Sequence, residues 1–425
     1  MDKQIIKSII IEKQDAIPHY DIVHRKQPFG DTSNYVLVGL RRAGKSYTLY
    51  QDIQDRVASK KAKIEDILYI NFEDERLSSI QAEELQLILD SYAELYPSNK
   101  PLIYLDEIQI IEGWEKFARR LADSKYRVMI TGSNAKMLST EIASALGGRY
   151  ITREIFPFSF KEYLLYKGVT LDQNWQFHPQ LKAQIAKLFD SYLHEGGIAE
   201  SFNQPDKREY LNALYQKILL GDIVIRNNIR NARVFRFLAK KLACSVMQPL
   251  SLSRIQHMIK STGDNISLSV LKDYIEYMRD AYLLFSIPNF ASSLAEQSSI
   301  QKRYVADNGI LNLFLYQGET SLLGNMVAIE LNRRYRNTQE DTRLYYYNRN
   351  IEVDFCIPQE HLAIQVSYNM DDAATQDREI GALKKFLQVF PDYSGMVITR
   401  DSEAEITISD NKTIKVVPIW KWLLE

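Results

Sequence analysis

The first third of the chain alternates short apolar runs with stretches whose apolar residues recur every three or four positions. The runs that predict strands are 35–40, 67–72, 102–105, 127–131 and 150–155. Intervening stretches such as 81–96 and 114–123 have the spacing of amphipathic helices. This alternation predicts an α/β core, a mainly parallel sheet with helices on both faces.

Beyond that core the pattern becomes helical and then α/β again. The predicted domains are a core at 1–158, a helical lid at 159–205, a helical or winged-helix-like domain at 206–291, and a C-terminal α/β domain at 300–425. Two short helical patterns, 252–261 and 267–278, are joined by T-G-D-N and followed by a strand-like run at 282–287. Together they indicate either a helix-turn-helix or winged-helix unit, or a plain helical bundle.

A phosphate-binding loop is predicted after the first strand. Residues 39–46 read G-L-R-R-A-G-K-S and match G-x-x-x-x-G-K-[ST]. The glycines let successive amides point at a phosphate, Lys45 adds positive charge, and the Ser46 hydroxyl suits Mg²⁺. The helical pattern that follows predicts a helix whose N-terminus faces the anion. We expect nucleotide contacts from Gly39, Arg42, Ala43, Gly44, Lys45, Ser46 and Tyr47.

A second nucleotide motif ends the strand-like run at 102–105. Two adjacent acids follow it, Asp106 and Glu107. Asp106 is predicted to hold Mg²⁺ together with Ser46. Glu107 is predicted to position or deprotonate the attacking water. No N-K-x-D guanine-recognition motif follows, which favours ATP over GTP.

Two further positions complete the predicted catalytic set of Lys45, Glu107, Asn134 and Arg149. Asn134, favoured over Ser133, follows the run at 127–131 and is predicted to sense the γ-phosphate; a turn with capping residues is the alternative. Arg149 is predicted to reach the γ-phosphate of a neighbouring subunit in a homo-oligomer, or else to form a structural ion pair.

Composition restricts location and partners. The formal net charge is -1, from 53 basic and 54 acidic residues, so no overall field attracts polyanions. Nucleic-acid binding would need a local basic face. Six residues could supply one, or could simply form a solvated helix face: Arg226, Arg230, Arg233, Arg236, Lys240 and Lys241. No apolar run spans a bilayer and no signal peptide is evident, which predicts a cytoplasmic protein without membrane contact. Cys244 and Cys356 are expected to be reduced core residues.

The motifs together resemble a known family, the AAA-type ATPases that carry a C-terminal domain of unknown function 4143. The resemblance rests on the phosphate loop and on 69–74, 105–109, 131–133, 148–149, 156–160, 192–197, 304–309 and 352–355. It implies an AAA+-like ATPase core, a helical or winged-helix middle, and a terminal domain similar to the PD-(D/E)xK nuclease fold.

The nuclease chemistry of that fold is incomplete here. Glu330 and Asp354 match two acidic positions, but the expected Glu-x-Lys reads Gln365-Val366-Ser367. A neutral glutamine is a weaker Mg²⁺ ligand, and serine cannot supply the charge of the lysine. The sequence therefore favours a domain retained for binding nucleic acid or protein rather than for cleavage.

The function predicted is an ATPase that hydrolyses ATP with Mg²⁺ and couples this to a nucleic-acid or protein partner. One alternative is a nucleotide-dependent switch with negligible turnover. The other is an ATP-linked DNA nuclease.

Overall fold

A computed structural model describes residues 1–27, 29–133, 145–293, 296–297, 300–316, 318–335, 343–409 and 412–425. The chain divides into two compact units, Met1–Phe156 and Pro157–Glu425. Among the described residues, no helix combines the length and the apolar character needed to cross a bilayer.

The first unit is built on a parallel sheet with the strand order β2-β3-β4-β1-β5. Its strands are β1 (Asn34–Val38), β2 (Ile67–Asn71), β3 (Leu102–Asp106), β4 (Arg127–Thr131) and β5 (Tyr150–Glu154). Its helices are α1 (Lys3–Ala16), α2 (Lys45–Ala58), α3 (Gln86–Leu95) and α4 (Trp114–Asp123). The predicted parallel α/β core is confirmed, with strand ends within two residues of those expected.

The central strands are buried on both faces, which explains why they are continuous apolar runs rather than alternating ones. Helix α4 packs through Trp114, Phe117 and Leu121, three buried residues on one helical face. Strand β1 lies between β4 and β5 rather than beside β2. The chain segments that follow β1 and its neighbour β4 therefore leave the sheet in different directions at the carboxyl end of β1. Open α/β sheets bind ligands at such a point.

The second unit begins with helices and a small antiparallel sheet. The helices are α5 (Phe160–Tyr166), α6 (Pro179–Glu195), α7 (Lys207–Gln216) with a π-helical continuation (Lys217–Ile225), α8 (Ala232–Ala243), α9 (Leu252–Ser261) and α10 (Leu268–Asp280). The sheet has the order β6-β8-β7, from β6 (Pro249–Ser251), β7 (Leu284–Pro288) and β8 (Ile300–Val305). Sequence patterns predicted α9, α10 and β7 but not β6 or β8. We call α8–α10 with these strands the three-stranded unit.

A six-stranded mixed sheet, of order β13-β14-β12-β11-β10-β9, forms the remainder. Its strands are β9 (Tyr345–Asn348), β10 (Glu352–Ile357), β11 (Leu362–Val366), β12 (Ser394–Thr399), β13 (Ala404–Ser409) and β14 (Lys412–Pro418). The accompanying helices are α11 (Asn308–Asn312), α12 (Glu319–Tyr335), α13 (Ala373–Val389) and α14 (Ile419–Trp422). Cys356 lies in the core against α13, as expected. The same expectation for Cys244 is wrong, because this residue is exposed where α8 ends.

Two glycine-containing segments interlock inside the second unit. A Cβ on Gly197 would lie 2.2 Å from the carbonyl oxygen of Phe158, and one on Gly309 would lie 2.2 Å from that of Glu195. The Gly197 amide donates a hydrogen bond of 2.7 Å to the buried carboxylate of Asp307. Only glycine permits these approaches, so the two segments hold α6 and α11 together.

Candidate nucleotide-binding site

The predicted phosphate loop connects β1 to α2 at the carboxyl edge of the sheet. Gly39 has φ +141°, and a Cβ there would lie 2.2 Å from the carbonyl oxygen of Ile155. Gly44 is left-handed (φ +95°) and is the N-cap of α2. The first amides of α2 have no helical partners and face the loop, which is a general anion-binding arrangement.

Lys45, the first residue of α2, lies inside this loop. Its side chain is only 5 % exposed, and its Nζ donates to the carbonyl oxygens of Gly39 and Leu40, at 3.2 Å each. Arg42 and Tyr47 are exposed instead, and Arg42 is left-handed with φ 65°. The loop therefore holds one buried cation, whereas Arg42 and Tyr47 lie at its surface.

Asp106, the last residue of β3, is buried at the same edge of the sheet. Its carboxylate accepts hydrogen bonds from the Tyr69 hydroxyl (2.5 Å) and the Thr131 hydroxyl, and the Ser46 side chain is close enough to interact with it. Burial raises the pKa of Asp106, and the interactions with Thr131, Tyr69 and Ser46 oppose that rise only in part. The structure thus brings Ser46 and Asp106 together, as the two motifs predict.

Glu107, the next residue, has a different environment. It is half-buried and left-handed (φ 55°, ψ 36°), a conformation that costs a non-glycine residue roughly 1–2 kcal/mol. Its amide donates to the Thr131 hydroxyl at 2.9 Å, and its carboxylate accepts from the Gln109 side chain. The left-handed backbone therefore turns Glu107 away from the direction of the strand. As a result, Asp106 is buried while the adjacent Glu107 remains accessible to solvent.

The end of β4 supplies the third predicted element. Asn134 lies outside the described residues. Ser133 is 4 % exposed, and among the described residues its Oγ has no hydrogen-bond partner. Thr131, which sequence reasoning did not single out, joins the two acids by bonding to both. Its position at the end of β4, the strand beside β3, is the signal that identifies it.

Arg149 lies at the opposite edge of the sheet. The pairing of Asn34 with Tyr150 sets it beside the start of β1, whereas the phosphate loop follows the end of that strand. Five residues of strand separate the two edges by roughly 16 Å. Arg149 pairs with Asp123 through its Nε. Within its own unit it forms the structural ion pair and does not reach the loop.

Arg25 is a further residue that sequence reasoning missed. Its guanidinium is buried and donates to the carbonyl oxygens of Ala43 (3.2 Å) and Phe156 (2.8 Å). Gln51 of α2 bonds to both the amide and the carbonyl of Arg25, each at 2.9 Å. The segment before β1 is thereby fixed beside the phosphate loop, although its sequence indicated only a connection.

The fold and this site define a P-loop ATPase module of the AAA type. In agreement, the AAA domain family matches residues 31–164. Residues 186–321 match a domain of unknown function, number 8612. The sequence resemblance predicted domain of unknown function 4143, and this assignment is wrong, because the matching domain is number 8612.

The uncharacterized protein MJ1544 of Methanocaldococcus jannaschii is 34 % identical over 439 residues, which span 100 % of this chain and 96 % of that protein. The chain belongs to the same family as MJ1544. An uncharacterized protein of Haemophilus influenzae is 27 % identical over 405 residues, covering 92 % of this chain and 94 % of its own.

Solved structures resemble the chain more distantly. The Walker-type ATPase PABY2304 of Pyrococcus abyssi is 15 % identical with a TM-score of 0.41, covering 74 % of this chain and 95 % of its own. The ORC1 protein of Aeropyrum pernix, solved in complex with DNA, is 15 % identical with a TM-score of 0.27, covering 77 % and 93 %. The family assignment rests on the sequence matches.

Proposed function

We propose that the first unit binds ATP with Mg²⁺ and hydrolyses it. The observation that carries the proposal is the proximity of Ser46, at the start of α2, to Asp106, at the end of β3, with Glu107 next in the chain. A Mg²⁺ ion bound to a triphosphate needs a hydroxyl and a carboxylate on one side, and these two residues supply them.

Each residue of the site has one role in this proposal. Lys45 exchanges its bonds to the loop carbonyls for the β- and γ-phosphates. Ser46 and Asp106 hold Mg²⁺, while Tyr69 and Thr131 fix the orientation of the Asp106 carboxylate. Phosphoryl transfer depends mainly on such positioning and on charge stabilisation.

Glu107 orients the attacking water and accepts its proton. Its half-exposed carboxylate suits this task better than the enclosed Asp106. Asn134 is proposed to contact the γ-phosphate, and Ser133 is a second candidate because its buried hydroxyl has no partner among the described residues.

Steady-state phosphate release tests the proposal. Lys45→Ala is expected to weaken Mg·ATP binding sharply, with Lys116→Ala, an exposed lysine of α4, as its control. Glu107→Gln is expected to retain binding and lose roughly 10²-fold or more in turnover. The exposed Glu112→Gln is the matched control. Wild-type turnover in Glu107→Gln would refute its role; binding without turnover in the wild type would favour the nucleotide-dependent switch.

We propose nucleic acid as the partner, bound by the three-stranded unit as a winged helix. The supporting observation is the basic face of α8, where Arg233, Arg236 and Lys240 are exposed at helical spacing. Arg226 and Arg230 are exposed just before it, and the ion pair resolved among these is Arg233 with Asp264 at 3.7 Å. A cluster of cations on one face suits a phosphate backbone.

Fluorescence anisotropy with labelled DNA, measured at several salt concentrations, tests this partner. The Arg236→Ala/Lys240→Ala protein is expected to bind more weakly and to lower the slope of log affinity against log salt by about two. Lys384→Ala/Lys385→Ala removes two exposed lysines from α13 and is expected to bind as the wild type does. If both double variants lost DNA affinity equally, the proposal that DNA binds to the basic face of α8 would be rejected.

A further inference from the structure

A lysine is buried beside the carboxylate where the nuclease-like fold would hold a metal ion. Lys302 of β8 is fully buried, and its Nζ lies 3.1 Å from Oδ1 of Asp354 and 2.8 Å from Oε1 of Glu352. The same Nζ lies 5.2 Å from the centre of the Tyr346 ring. An ammonium is tolerated in a protein interior only when it is paired in this way.

The charge of Lys302 is maintained by its neighbours. Burial alone lowers the pKa of a lysine, but Asp354 and Glu352 more than offset this effect, and the pKa of Lys302 rises above its usual value. The site therefore contains a permanent cation supplied by the chain itself.

The remaining polar atoms around Asp354 are also occupied. Its Oδ2 accepts from the Val366 amide at 3.1 Å, and its own amide donates to Oε1 of Gln365 at 2.7 Å. The Gln365 Nε2 in turn donates to Glu379 at 2.9 Å. Gln365, at the position where a nuclease would have glutamate, thus links the Asp354 backbone to the Glu379 carboxylate through a neutral amide.

Glu330, the other acid expected to bind the metal, is likewise paired. It forms ion pairs with Arg333 at 2.5 Å and Arg334 at 2.8 Å, both on its own helix. Among the described residues, no group of three or more His, Cys, Asp or Glu side chains is arranged to hold a metal ion. The residues present do not fit a nuclease metal centre.

We propose that Lys302 replaces the metal ion of the nuclease-like domain and turns a catalytic position into a structural link. The lysine comes from β8 of the three-stranded unit, whereas Asp354 and Glu352 belong to β10 of the six-stranded sheet. One buried cation therefore fastens the two sheets to each other. The backbone supports the same junction, because the Phe290 amide donates to the Tyr346 carbonyl at 2.7 Å.

A double-mutant cycle in the full chain tests the proposal. Lys302→Met leaves the buried Asp354 without its cation, and Asp354→Asn leaves Lys302 with only the more exposed Glu352. Each is expected to lower the thermal midpoint of the second unit by several degrees. The Lys302→Met/Asp354→Asn double removes both charges, so its midpoint is expected to lie above the sum of the two losses. The control is Lys384→Met, which changes an exposed lysine and is expected to leave the midpoint unchanged.

The effect of Mn²⁺ distinguishes two hypotheses. In one, Lys302 is a permanent structural link; in the other, Lys302 fills a metal site only while no metal ion is bound. The midpoint of the wild type and that of Asp354→Asn are expected to respond equally to Mn²⁺ against EDTA, and neither protein is expected to cleave plasmid DNA. A Mn²⁺ response or cleavage that disappears in Asp354→Asn would overturn the proposal. Strictly additive losses in the cycle would also overturn it, and if either single variant fails to fold, a folded double variant would support the link.

Discussion

Replacing Tyr69 with phenylalanine removes one hydroxyl from the support of Asp106 and leaves the ring in place. Tyr69 is 1 % exposed, so its bond of 2.5 Å to the Asp106 carboxylate is made away from water. A hydrogen bond to a charged group contributes about 1.5–3 kcal/mol. The Tyr50 hydroxyl, 3.2 Å away, loses a neutral partner worth about 0.5–1.5 kcal/mol. Because no cavity forms, we expect a loss of roughly 2–4 kcal/mol in the free energy of unfolding.

Thermal unfolding followed by circular dichroism measures this loss. The transition of the first unit is identified as the one that moves upward when Mg·ATP is added. For a unit of this size, the loss corresponds to a decrease of roughly 5–15 °C in its midpoint. Tyr126→Phe, a half-buried tyrosine in the same unit, is the control. A Tyr69→Phe protein that unfolds at the temperature of this control would show that the hydroxyl does not support Asp106.

The same variant has a pH dependence of defined sign. Burial raises the pKa of Asp106, and the Tyr69 bond opposes this rise, so Tyr69→Phe is expected to raise the pKa further. A protonated Asp106 cannot ligate Mg²⁺, so the affinity for Mg²⁺ in the presence of ATP should fall as pH falls through this pKa, beginning at a higher pH in the variant. For stability the sign is opposite: the raised pKa favours the protonated folded state, and that contribution is lost as pH rises through it.

Two further predictions concern the second unit and the role of Arg149. Gly309→Ala is expected to destabilise the second unit strongly, because the new Cβ would lie 2.2 Å from the Glu195 carbonyl oxygen. Gly381→Ala, where the Cβ would meet open space on α13, should raise the free energy of unfolding by about 0.4–1 kcal/mol. Chemical denaturation of both variants measures the difference. If Arg149 acts on a neighbouring subunit, mixing inactive Arg149→Ala with inactive Glu107→Gln should restore about a quarter of wild-type phosphate release, since one pairing in four is complete. A mixture that stays inactive would leave Arg149 with its structural role alone.

The sequence predicts the first unit well because its elements have one dominant signal each. Buried parallel strands are uninterrupted apolar runs, and the chemistry follows their ends, as with Lys45, Asp106 and Glu107. Contacts across the sheet were not predictable. The hydroxyl of Tyr69 reaches Asp106 from a position 37 residues earlier, and only the strand order makes them neighbours.

Prediction failed where burial runs against residue type. Strand β8 contains Lys302 and Arg303, which are 0 % and 4 % exposed, yet their sequence reads as polar surface. Their burial depends on distant acceptors, such as Asp354 for the lysine and the Leu250 carbonyl for the arginine. The prediction for Cys244 was wrong in the opposite direction, because a residue expected in the core is exposed. Apolar neighbours in sequence do not determine which side of a helix end faces solvent.

The interlock between Gly197 and Asp307 has a consequence for the order of events during synthesis. The bond joins residues 110 positions apart, so the loop that follows α6 emerges from the ribosome long before its acceptor exists. At translation speeds of about 5–20 residues per second, roughly 5–20 s pass between the synthesis of Gly197 and that of its acceptor. The first unit has long-range contacts of its own, such as Arg25 with Phe156, but all the residues that build it have emerged by Phe156. All residues of the first unit are therefore available for folding before the second unit can close.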